Sequence, residues 1–180
     1  MEKTLNDFKI TSKVPGVVIE KYKDFVPKEI IDLWQEYGFG TFMQGYLKSV
    51  NPEEYVDILK EGSQRYTDSV VLFATGMGDL VLWADGYVRL LHFRYGVIKT
   101  VMPNFLHFFR SLESEKFRDE YMKWKPFPEA VENYGELSYE DCFGYTPLLG
   151  LGGEEKVENL KKVKLKEHIF IITEFMGPVQ

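Results

Sequence analysis

The chain has 180 residues, 44% of them hydrophobic and 16% aromatic, enough for one domain with a real core or for one and a half lobes sharing a core. Its 28 acidic and 22 basic residues give a formal net charge of -6, which argues against generic affinity for DNA, RNA or anionic membrane, because such binding needs a basic patch dense enough to displace counterions. There is no apolar run of about 18 residues to span a membrane, the opening MEKTLNDFKI lacks the apolar core of a secretory signal, and a lone Cys142 cannot form an internal disulfide, so a cytoplasmic protein is expected.

In chain order, FVPKEIIDLWQEYGFG reads as a helix. Pro27 suits its first turn, Ile30, Ile31, Trp34 and Tyr37 share a face, and Gly38 stands where a C-terminal cap belongs. NPEEYVDILKEG is a second helix, with Asn51 as cap, Pro52 at the first helical position, Glu53 and Glu54 complementing the dipole and Gly62 closing it. The segment SVVLFATGMGDLVLWADGYVRLLHFRYGVIKTV then changes period. It is β-branched and aromatic, with Asp85-Gly86 and Tyr95-Gly96 as turns, and predicts at least three antiparallel strands between Val70 and Val101.

Helical periodicity returns where Pro103 opens PNFLHFFRSL and Ser114 caps EKFRDEYMKW, and PFPEAVENYG is a short helical stretch ending near Gly135. LSYEDCFGYTP reads as an irregular loop. The final VKLKEHIFIITEFMGP fits a helix or a strand, and the Gly177-Pro178 stop favours the helix. The fold class expected is α+β: a central antiparallel meander packed by N-terminal and C-terminal helices.

The residues that could carry chemistry do not assemble into a motif. Gly150, Gly152 and Gly153 are preceded by a segment containing Gly144 and Pro147, poor strand material, and followed by Glu154 and Glu155, which would repel a phosphate; a surface connection is expected there. His92, His107 and His168 fall in three separate elements without metal-ligand spacing, so no metal or cofactor is expected. Cys142 follows Glu140 and Asp141, whose charges would raise its pKa and leave it inert. The adjacent acids Glu53/Glu54, Glu140/Asp141 and Glu154/Glu155 read as solvated or capping groups, and no residue is assigned a catalytic role. In TGMGDLVLW, Gly76, Gly78 and Asp79 interrupt an apolar run. This is either a tight turn in which Asp79 bonds local amides or a shaped edge lined by Asp79 and aromatics, Trp83 among them.

LWQEYGFGTFMQGYLKSVNPEEY, with its Trp-bearing helix, Tyr-Gly break and Asn-Pro-x-x-Tyr helix start, resembles the opening of the GAD-like domain. TGMGDLVLWADGYVRLLHFRYG resembles its Gly-Asp-Leu strand, hairpin and Tyr-Gly turn, although Met77 stands where an aromatic precedes that step. YGELSYEDCFGYTPLLGLGGEEKVENLKKVKLKEH resembles the C-terminal module of immunity proteins paired with type VI secretion DNase effectors. The resemblance implies a GAD-like domain over residues 1–105 and an immunity-type module over 106–180 sharing one core. It further implies a cytosolic bacterial protein that binds and silences a cognate toxin, with no catalytic residue carried over; a monomer alone and a heterodimer with the toxin are the expected states.

Aromatics can anchor such an interface and carboxylates can face the Lys and Arg groups of a nuclease, so Asp79, Trp83, Glu140, Asp141, Glu154 and Glu155 are the candidate partner-binding residues. Two other function classes compete. One is a small-ligand-binding or regulatory module with a pocket near Asp79, Trp83 and His92; the other is a hydrolase built from converged histidines and acids.

Overall fold

The computed structural model describes residues 3–180. Seven strands form one sheet in sequence order, each antiparallel to its neighbour: β1 (Lys9–Ser12), β2 (Phe39–Phe42), β3 (Leu47–Ser49), β4 (Val70–Thr75), β5 (Leu80–Ala84), β6 (Tyr87–His92) and β7 (Val97–Met102). The expected meander therefore exists and is longer than the four strands in its aromatic centre. Between β1 and β2 the chain makes α1 (Gly16–Tyr22) and α2 (Lys28–Glu36), and a 3-10 turn at Pro52–Tyr55 leads into α3 (Val56–Gly62). The Asn51 side chain accepts from the Glu53 amide, as its cap position requires. Asp85 and Gly86 both take positive φ, 51° and 75°, the geometry that lets a two-residue turn follow the twist of the strands it joins.

Both faces of the sheet are covered, and this explains why its centre is apolar almost without interruption. Val81 and Val88 belong to a core with Val18 and Tyr22 of α1 and Leu33 and Trp34 of α2, whereas Leu80, Leu82 and Leu91 belong to one with Ile58 and Leu59 of α3. A strand buried on both sides has no polar face to alternate with.

The remainder of the chain supplies the other half of each core. α4 (Phe105–Ser111) and α6 (Pro126–Tyr134) lie on the first face, where Phe105, Phe108, Phe109 and Phe127 are buried. α7 (Leu165–Met176) lies on the second, through Leu165, Ile169 and Ile172. The final segment is thus helical, as its Gly-Pro stop indicates. Asn104, one residue beyond Pro103, caps α4 by accepting from the His107 amide at 2.8 Å. The stretch capped by Ser114 forms only a short turn, α5 (Glu115–Phe117), before widening into a π turn over Arg118–Met122.

One element departs from expectation. The stretch read as an irregular loop contains β8 (Asp141–Tyr145), which pairs antiparallel with β9 (Leu160–Lys164). Gly144 made the segment look like poor strand material, yet the missing side chain has a local reason. A Cβ there would collide with the His168 ring of α7, so glycine lets the helix seat itself on the strand. Gly144→Ala is expected to cost about 1–3 kcal/mol by forcing that ring out of its site. Guanidinium unfolding would measure this, and a loss below a few tenths of a kcal/mol would show that α7 can shift freely.

Candidate functional site

The polar residues that the sheet buries point at the segments C-terminal to it. Lys48 on β3 is only 1% exposed, and its ammonium donates to three backbone carbonyls, Ser138 (2.7 Å), Tyr139 (3.0 Å) and Asp141 (2.5 Å). Three donors meet three acceptors at the entrance to β8. Burial, the dominant cause, brings the Lys48 ammonium down to about 8, partly opposed by the negative charge of Asp141. Next to it the Tyr139 hydroxyl donates to the Ser49 carbonyl at 2.8 Å.

A second cluster sits around Asp79, which is fully buried after the β4–β5 turn. One carboxylate oxygen takes Arg94 Nε (3.1 Å) and Nη2 (3.0 Å) and faces His92 Nδ1 (2.9 Å). Burial pushes the Asp79 carboxyl upward, but the charges of Arg94 and His92 outweigh it and hold the group below the usual carboxylate range. His92 and Arg94, joined by Tyr46, also reach further. His92 Nε2 meets the Tyr121 carbonyl (2.9 Å), Tyr46 Oη the Met122 carbonyl, and Arg94 Nη2 the Lys123 carbonyl (3.1 Å). These three successive carbonyls lie where the π turn ends at Lys123, in the left-handed region with φ 53°. A helix end leaves such carbonyls without intrahelical partners, and here buried side chains of the sheet satisfy them.

The expected role of Asp79 in its turn is therefore corrected. The local amides of Met77 and Asp79 are bonded by the Thr75 hydroxyl, while the Asp79 carboxylate turns inward. Nor do Asp79, Trp83 and His92 line a common pocket: the first and last are fully buried, and Trp83 is half-buried against Phe105 with ring centroids 5.7 Å apart. Cys142 is raised to about 12 chiefly by burial, with Lys48 pulling the other way, so its neighbours' charges are a minor cause. Among the described residues no three His, Cys, Asp or Glu side chains gather as metal ligands would.

The glycine stretch is a turn. Gly152 (φ 86°) closes the 3-10 turn Leu149–Leu151, and a Cβ on Gly153 would strike the Pro147 carbonyl. The chain then makes another 3-10 turn and enters β9, so the helix N-terminus that a phosphate cradle needs does not form there.

Comparison with known proteins accords with this geometry. Residues 1–95, ending at the Arg94–Tyr95 corner of the buried cluster, match the model of the GAD-like domain. The chain belongs to the GAD-like family. Residues 103–176 of this GAD-like protein match a second model, "T6SS immunity protein Tdi1, C-terminal". A comparison with curated proteins finds no match. Among solved structures, "Crystal structure of Atu4351 from Agrobacterium tumefaciens" is 19% identical with a TM-score of 0.78, covering 97% of this chain and 89% of that one; the likeness is one of fold. The two clusters thus lie where the GAD-like portion meets the immunity-type portion.

The other candidate residues of the GAD-like protein occupy its surface. Glu140 is exposed, with Lys164 at 3.5 Å, and lines a groove of about 370 Å³ with Glu54, Tyr139 and Glu167. Asp141 is half-buried and held by Lys164 (2.8 Å) and the Ser138 hydroxyl (2.6 Å), which lower its carboxyl in that order. Glu154 pairs with Lys156 (2.8 Å), and Glu155, exposed, accepts from the Tyr95 hydroxyl beside a groove of about 270 Å³ that Lys123, Lys125 and Tyr145 also line. Glu140 and Glu155 lie toward opposite ends of β8, so the acids form two patches. Sequence reasoning missed Lys48 and Arg94. A lysine beside Leu47 and an arginine beside a turn carry no signal that separates them from solvated residues.

Breaking either cluster has a direction. Arg94→Met would take the permanent cation from the buried Asp79 carboxylate, leaving only His92 beside it, and is expected to destabilise by roughly 3–5 kcal/mol, readable as lost solubility or a large fall in Tm. Because the folded-state pKa of Lys48 lies near 8, below the value of 10.5 it has when unconstrained, the unfolded chain binds more protons between these pH values and stability rises with pH across that window. Denaturation at pH 7 to 10 should therefore show the wild type gaining on Lys48→Met by roughly 1–3 kcal/mol. A constant difference would mean that the Lys48 ammonium is not desolvated.

Proposed function

We propose that this GAD-like protein is an immunity protein that neutralises a cognate type VI secretion toxin by stoichiometric binding, without turnover. The observation that carries the reading is the match of residues 103–176 to the immunity-protein module. The geometry supports it in two ways. Buried Lys48, His92 and Arg94 are committed to backbone carbonyls of the immunity-type portion, and the candidate acids Glu140, Glu154 and Glu155 stand on exposed loops of that portion. With a net charge of -6 over the whole chain, such exposed acids suit a basic partner surface, such as the phosphate-binding groove of a nuclease. In this reading the protein acts inside the producing cell and is monomeric until it meets the toxin.

Glu140, Glu154 and Glu155 are the acids proposed to face the partner. Asp141, bonded to Ser138 and Lys164, shapes the start of β8 instead, and Asp79 and Trp83 act from within the fold. A tagged pull-down from native cells, with co-eluting proteins identified by mass spectrometry, should recover one stoichiometric partner whose expression alone is toxic. The variant carrying Glu140→Lys, Glu154→Lys and Glu155→Lys should keep its Tm and bind that partner on the order of tenfold or more weakly, chiefly through slower association. Elution of the protein alone while the toxin is expressed would overturn the reading.

A further inference from the structure

α7 buries one side against the sheet through Leu165, Ile169 and Ile172, and presents the other to solvent. That outer side is not polar. Ile171 is 46% exposed and Phe175 62%, and their spacing of four places them one turn apart on the same stripe. The turn Leu149–Leu151 packs beside the end of the helix, where the Met176 side chain lies against Gly150, and Leu151 in that turn is 56% exposed. Glu167 and Glu174 are exposed on the same helix face, at i–4 from Ile171 and i–1 from Phe175, and among the described residues neither has an ion-pair partner. Glu154 and Glu155 come directly after the turn. Nothing in the fold requires apolar groups at these places, since the packing of α7 is complete on its other side.

We infer that the Ile171–Phe175 face of α7, with Leu151 at its margin, is the anchor on which the toxin docks, resting on the immunity reading above. The partner it fits presents an apolar concavity for the Phe175 ring, bordered by Lys or Arg side chains that meet Glu167 and Glu174. The charge decides the occupant. The lysines nearest Glu167 are already paired, Lys164 with Glu140 and Asp141 and Lys166 with Glu54. Exposed carboxylates outside any ion pair thus stand beside the aromatic and aliphatic groups and disfavour an anionic lipid surface and a second acidic copy of this chain, whereas a basic protein groove neutralises them while water is excluded from the ring. The arrangement divides the labour as interfaces commonly do: a few apolar anchors govern dissociation, and rim charges govern encounter.

The test uses full-length protein and the stoichiometric partner recovered in the pull-down, produced separately, with affinity measured by calorimetry and rates by surface biosensor. Phe175→Ala should weaken binding on the order of thirtyfold, and Ile171→Asp with Phe175→Asp should abolish it, with Tm unchanged because both side chains are exposed. Glu167→Lys with Glu174→Lys should slow association on the order of tenfold and flatten its salt dependence. Binding of the double aspartate variant within about threefold of wild type would overturn this inference while leaving the immunity reading intact. So would a dimer of the isolated protein, seen by sedimentation, that dissociates in the same variant, since the strip would then be a self-association face. Should the protein recover no toxic partner at all, the immunity reading itself fails first.

Discussion

Six backbone carbonyls determine how the two portions of this chain sit together. Ser138, Tyr139 and Asp141 accept from Lys48; Tyr121, Met122 and Lys123 accept from His92, Tyr46 and Arg94. All the donors stand on the sheet or at its turn, and all the acceptors belong to irregular backbone at a π turn or at the entrance to β8. Irregular backbone can be buried only when its polar groups find partners, and here the partners are side chains of the other portion. Apolar contact adds area without direction, whereas these bonds define a register.

The cost of the arrangement explains its form. An arginine and an aspartate removed from water together are tolerated because opposite charges meet on one Asp79 oxygen, which His92 also faces, and Arg94 also reaches the Lys123 carbonyl. Lys48 lacks a bonded carboxylate and uses three carbonyl dipoles instead, which is why burial lowers its ammonium to about 8. The apolar cores on either side of the sheet supply the opposing free energy. Each draws residues from both portions, so Phe127 and Phe143 share a core with Trp34, and Cys142 and Ile169 share one with Leu59.

On the proposed immunity reading, this rigidity suits a binding role. A protein that works by occupying a partner gains affinity when its contacting surface is already ordered, because less freedom is lost on association. The seam immobilises β8 and the loop before it, and α7 is held through its buried side. The acidic loops and the apolar stripe of α7 stay outside and are presented on a fixed frame. Lys48, Asp79, His92 and Arg94 are consumed by that frame.

The sequence by itself determined the elements that depend on local chemistry. The Asp85-Gly86 turn, the Asn51 cap, the amphipathic face of α2 and the Gly177-Pro178 stop all act within a few residues, and the α+β class follows from their order. The family resemblance was legible for the same reason, since its motifs are mostly turns and helix starts. Tertiary structure alone decided the rest. β8 is a strand because β9 pairs with it and His168 needs the space at Gly144; Asp79 is a core ion because Arg94, fifteen residues on, arrives beside it. Lys48 is buried because a segment ninety residues later brings its carbonyls. Burial and partnership are properties of what the rest of the chain places nearby, and no local pattern encodes them.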